Sequence, residues 1–178
     1  DNISGQRIRK EFNRIFSEEF AQKSFQRMED FVLFSAIVPC WNLPQDFSQI
    51  WENTIQAIDW SKQYLPNEQI DQDAMLWMAL LDKKTTKTVS HRLEFEKRLQ
   101  EKLNAKNRLI TDLKKLSYSA KPSHVYQLLN CYPLETLIFS FWNHEHNWQK
   151  AQIRNYLLKL RHVQPKVTGK DLLKQGHI

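Results

Sequence analysis

With 178 residues, 41% of them hydrophobic, the chain is long enough for one sizeable core or two small ones. Three glycines and six prolines leave little material for β turns, and Leu, Ile, Gln, Lys and Glu suit helices; the expected fold is all-α, a multi-helix array of antiparallel helices in two subdomains with no sheet. The net charge of +6 hides a split: seven Lys/Arg against thirteen Asp/Glu up to Asp82, then nineteen against seven from Lys83 onward, which points to a polyanion partner, most often nucleic acid.

The first predicted helix lies in "ISGQRIRKEFNRIF" (3–16). Ser4 is placed to cap it, Ile3 to staple onto Ile8, and Ile8, Phe12, Ile15 and Phe16 share one face. A second helix is expected over 18–36, with Phe20, Phe25, Met28, Phe31, Val32 and Ser35 towards the core, ending before Pro39. The run "FVLFSAIVPCW" (31–41) is the longest apolar stretch. It falls short of the ~20 residues a membrane span needs and contains a proline. No charged-then-apolar leader opens the chain, so a soluble, cytoplasmic protein is expected, with Cys40 and Cys131 as buried free thiols.

"FSQIWENTIQAI" (47–58) repeats the helical pattern. "DQDAMLWMALLD" (71–82) is apolar nearly all round after an acidic start, as a central buried helix would be. "KKTTKTVS" (83–90) has no periodicity and reads as a basic loop. It separates an acidic subdomain, 1–82, from a basic one, 83–178, whose C-terminus reads as truncated. Ser90 is then expected to cap a helix carrying Leu93, Leu99 and Leu103. The phase shifts at Leu109, Ile110, Leu113 and Leu116, which predicts a break near Asn104–Asn107. Helices at 122–129, 133–142 and 148–160 follow, two of them opening at a proline.

Motif by motif, the chemistry is sparse. "DQD" (71–73) suits a helix start, where carboxylates face exposed amides, better than a metal pair. His144 and His146 in "HEH" point some 200° apart on a helix and cannot clasp one metal; no metal site is expected. "TGKD" (168–171) lacks the second glycine of a P-loop, with Gln164 in its place, and carries Asp171 where a hydroxyl would ligate magnesium. What remains is a helix cap by Thr168 and Asp171, whose free amides beside Lys166 and Lys170 also suit a phosphate. No catalytic residue is assigned.

Two segments carry a resemblance. "ISGQRIRKEFNRIF" is similar to the S-x-E-R-I-R-x-E-L-x-K-I-L stretch of bacterial class II tRNA nucleotidyltransferases and their poly(A) polymerase relatives. Arg7, Ile8, Arg9, Glu11 and Ile15 match, while Gln6 and Arg14 replace the usual Glu and Lys. "LRHVQPKVTGKDLLKQG" (160–176) resembles the family's tail signature through Arg161, His162, Val163, Pro165, Thr168, Gly169, Asp171, Leu172, Leu173 and Gly176.

The resemblance implies a neck, body and tail that hold the acceptor and TΨC arms of tRNA, with Arg7, Arg9, Glu11 and Arg14 as a structural neck motif. It also implies that Mg2+ and ATP or CTP belong to a missing N-terminal catalytic head, which would be a further partner. No cofactor is expected in this chain, and no chemistry. Phosphate contacts are expected from Lys114, Lys115, Lys121, Arg154, Arg161, Lys166 and Lys170. The rival class is a helical adaptor for an acidic protein surface.

Overall fold

The computed structural model describes residues 3–163, and every regular element among them is helical. Helix α1, Gly5–Phe16, opens at Ser4, whose hydroxyl accepts the Arg7 amide at 3.3 Å. The expected staple does not form, for Ile3 stays 56% exposed. Phe12 is instead the centre of an aromatic cluster, its ring centroid 5.7 Å from Phe25, 5.9 Å from Phe34, 5.5 Å from Trp41 and 5.3 Å from Trp77. These are favourable aromatic spacings, and the cluster ties the first forty residues to the apolar helix predicted at 71–82.

The single helix expected over 18–36 is two helices, α2 (Ala21–Asp30) and α3 (Leu33–Ile37). The chain breaks at Phe31 and Val32, with Val32 in the left-handed region at φ 59°. A β-branched residue is strained there by about 1–2 kcal/mol. The turn swings Phe34 into the cluster, 4.8 Å from Trp41 and fully buried, and leaves Phe31 and Val32 outside. Phe20, Phe31 and Val32 are therefore surface residues, not core.

Helix α4, Phe47–Tyr64, runs six residues beyond the predicted end. Helix α5, Gln72–Leu80, is capped by Asp71, whose carboxylate accepts the Ala74 amide at 3.0 Å, and is buried continuously from Ala74 to Leu80. The predicted basic loop is largely helix α6, Thr86–Arg92. Asp82 starts it by accepting the Thr85 amide and hydroxyl at 2.8 and 2.6 Å, and Val89 and Leu93 anchor it in the core. Ser90 lies buried inside α6 and caps nothing. The next helix, α7 (Lys97–Leu113), starts at Glu96 and runs without the predicted break.

Helices α8 (Pro122–Leu129), α9 (Leu134–Asn143) and α10 (Asn147–Leu158) follow near their predicted places, then a 3-10 turn at Leu160–His162. Helix α9 is the hub, packed on α4, α5, α7 and α10. The buried apolar side chains form one connected cluster from Phe12 to Leu157, so the acidic and basic parts of the sequence share a core. Cys40 and Cys131 are both exposed, against expectation. No helix among the described residues is long and apolar enough to cross a membrane.

Candidate nucleic-acid interface

The four residues expected to form a neck motif divide between docking and solvent. Arg9 reaches across to the turn between α6 and α7, donating to the Glu94 carbonyl at 2.6 Å and lying 3.8 Å from the Glu96 carboxylate. Arg92 returns the contact, donating to the Ile3 carbonyl at 3.0 Å. Gly5 lies between them: a β-carbon there would stand 2.1 Å from the Arg92 carbonyl oxygen, so only glycine lets α1 come this close. Glu11 and Arg14 form an exposed pair at 3.3 Å, and Arg7 faces solvent.

The basic residues predicted for phosphate contact do not all remain available. Lys114 ends α7 and Lys121 precedes α8; both are exposed, with no carboxylate at salt-bridge distance among the described residues. Lys115 is exposed but pairs with Asp112 at 2.5 Å. Asp112 also accepts the Tyr132 hydroxyl. The hydrogen bonds from Lys115 and Tyr132 hold its carboxyl below the usual range, while burial and that same bond push Tyr132 up to about 12. Arg154 is exposed on α10. Arg161, in the 3-10 turn, is bound to Glu68 with 17% of its side chain exposed, so it fastens the chain after α4 to the end of α10. Lys166 and Lys170, with the whole "TGKD" cap, lie outside the described residues.

Lys114 faces a second loop. A cleft of about 230 Å³ is lined by Ile110, Lys114, Asn143, His144, Glu145 and His146. The helix ends beside the two loops are bound where Gln149 of α10 donates to the carbonyl of Leu113, the last residue of α7, at 2.8 Å. His144 Nδ1 accepts the His146 amide at 3.2 Å, and its Nε2 is buried without a hydrogen-bond partner among the described residues. Burial, reinforced by His146, Lys150 and Lys114, lowers the His144 pKa, so this imidazole shapes the loop as a neutral group. The Tyr118 ring, 80% exposed, meets Trp148 edge to face at 6.3 Å on the same side.

Residues 1–43 match the family model described as "Probable RNA and SrmB-binding site of polymerase A". The whole chain is similar to solved structures of CCA-adding enzymes. The Thermotoga maritima enzyme complexed with tRNA superposes with a TM-score of 0.70 at 22% identity, over 97% of this chain and 42% of that one. A CCA-adding enzyme with ATP gives 0.70 at 22% identity, over 99% and 43%. A tRNA-processing enzyme complex gives 0.72 at 20% identity, over 97% and 47%. The fold is that of the matched part of CCA-adding enzymes. The chain spans less than half the length of the enzymes it matches. No curated protein sequence matches it. The resemblance read from the two terminal motifs is thus borne out in the fold, and for the first motif in the family model as well.

Two lysines that sequence reading counted among the basic residues but did not single out lie in the core. Lys102 and Lys106 are 4% and 8% exposed, and they sit one turn apart on the apolar stripe of α7. The Lys102 ammonium donates to Asp71 and Glu135, each at 2.8 Å, and the Glu135 carboxylate also accepts the Asp71 amide at 3.1 Å. Lys106 donates to the Met78 and Leu81 carbonyls at 2.9 and 2.5 Å, closing the C-terminal end of α5, and lies over the Phe139 ring. The signal was present: Lys102 and Lys106 take stripe positions between Leu99 and Leu109, and Lys106 falls inside the supposed phase break at 104–107. Tyr118 and Trp148 were missed because nothing local sets a lone tyrosine in "KLSYSA" apart from a core residue.

Proposed function

We propose that this chain is the RNA-holding part of a tRNA nucleotidyltransferase or poly(A) polymerase, gripping tRNA while a separate catalytic part adds nucleotides. The carrying observation is the exposed lysine group Lys114, Lys115 and Lys121 at one helix junction, on a fold shared with an enzyme solved in complex with tRNA. Arg154 adds a fourth solvent-facing cation. Ammonium and guanidinium groups on exposed helix ends suit phosphate contact by shape, which is how A-form RNA is recognised. Mg2+ and ATP or CTP belong, in this reading, to the catalytic part, which is also the chain's second partner. The fold relatives, being tRNA-processing enzymes, support RNA over an acidic protein surface as the partner.

The test is tRNA affinity as a function of salt. Log K should fall linearly with log salt, and replacing Lys114, Lys115 and Lys121 by alanine should make the slope shallower by about two to three. A flat plot for the unaltered chain would remove the proposal. Incubation with ATP, Mg2+ and tRNA should give no nucleotide incorporation; incorporation would move the chemistry into this chain.

A further inference from the structure

The lysine group does not stand alone on its face. The connection 114–121 between α7 and α8 carries Tyr118, whose ring projects into solvent at 80% exposure. The neighbouring loop and the first turn of α10 supply Trp148, half-buried and edge to face with Tyr118 at 6.3 Å and 65°. An edge-to-face pair covers at most one face of either ring, so Tyr118 keeps an open aromatic face. A solvated tyrosine this exposed contributes little to folding, because almost none of its surface leaves water. It is held by a partner ring rather than waving free, which lowers the entropy that a stacking ligand must remove.

The charges around the pair are mostly positive. Lys114 and Lys121 flank Tyr118 in sequence, and Lys114 also lines the cleft that ends at His144 and His146. Lys150, one turn beyond the loop, donates to the Trp142 carbonyl at 3.3 Å and is partly committed to it. The opposing groups are Glu145, exposed in the same loop, and Asp112, neutralised by Lys115. An open aromatic face on a connection bounded by two exposed lysines, neither within salt-bridge distance of a carboxylate among the described residues, fits a nucleotide unit, a π-surface joined to phosphates on either side.

Building on the RNA-holding reading, we infer that Tyr118, supported by Trp148, stacks against an unpaired base of the bound RNA while Lys114 and Lys121 hold the flanking phosphates. The chain would then grip duplex by its backbone and recognise one point where a base leaves the stack. Phosphate contacts by themselves do not tell a paired stem from a loop, whereas an aromatic face needs a splayed base.

The experiment compares two labelled RNAs with equal numbers of phosphates, a stem closed by an unpaired loop and a blunt duplex, binding to the 178-residue chain. The unaltered chain should prefer the looped RNA. Tyr118→Ala should lose that preference, binding the looped RNA about 5- to 150-fold more weakly with duplex affinity unchanged. Tyr118→Phe should retain it, and Lys114→Ala should weaken both RNAs alike. Because Tyr118 is so exposed, the alanine variant should keep its helical circular dichroism. Equal binding of the two RNAs, or a Tyr118→Ala variant that behaves as the parent, overturns the stacking inference while lysine-dependent binding leaves the RNA-holding reading intact. Absence of any RNA binding by the parent overturns both.

Discussion

Lys102 and Glu135 meet in the interior, the lysine Nζ donating to Glu135 Oε1 at 2.8 Å with the two side chains only 5% and 7% exposed. The pair joins α7 to α9, and Asp71 brings in the start of α5 as a second, partly exposed acceptor. Removing one member strands the other charge in a low-dielectric site. Lys102→Ala should lower stability by about 3–5 kcal/mol. Urea denaturation checks this, and Lys102→Met combined with Glu135→Leu should recover a large part of the loss, since an apolar pair has no stranded charge.

Lys106 makes stability depend on pH in the alkaline range. Burial lowers its pKa from 10.5 to about 8, partly opposed by Asp82. Below pH 8 the amine is charged in both states, and the folded chain carries the full cost of burying it. Between about 8 and 10.5 the unfolded chain keeps its proton and the folded chain releases it, so stability rises with pH. The gain is on the order of 3 kcal/mol across the window. Denaturant midpoints of the parent should climb from pH 8 to 10 relative to those of Lys106→Met, which lacks the titrating group. Parallel curves would refute the assignment.

Gly5→Ala tests the docking of α1. The added methyl would meet the Arg92 carbonyl, which is backbone and cannot rotate away, so α1 must lift from the α6–α7 turn. A loss of about 1–3 kcal/mol is expected in thermal denaturation, with faster proteolysis near residue 5. Arg9→Ala, which frees the Glu94 carbonyl without a clash, should cost less.

Arg154 and Arg161 should separate in function. Arg154 is solvent-facing, so Arg154→Ala should make the salt dependence of tRNA binding shallower by about one. Arg161 is bound to Glu68, so Arg161→Ala should change that slope less and lower the melting temperature more. Measuring both quantities on both variants checks the division.

Local pattern carried much of this protein. The period of the apolar residues located α1, α4 and the three helices from Pro122 onward, because each buries one face and 3.6-residue spacing is visible without a partner, while α5 was located by its unbroken apolar run after an acidic start. It failed at Val32, where a strained turn exists only because Phe34 gains a place among Phe12 and Trp41. It failed again at 83–90, where an Asp82 cap and two core anchors make a helix from a sequence with no stripe of its own.

By itself, the sequence determined that the chain is helical, that its positive charge gathers after Asp82, and that its two ends resemble one family. Only the tertiary structure decided which cations are free. Lys102 and Lys106 find their acceptors 25 to 33 positions away, and Arg161 finds Glu68 93 positions away. A charge is spent or available according to what packing brings opposite it, and periodicity along one helix records the face a residue occupies but not the group that meets it there.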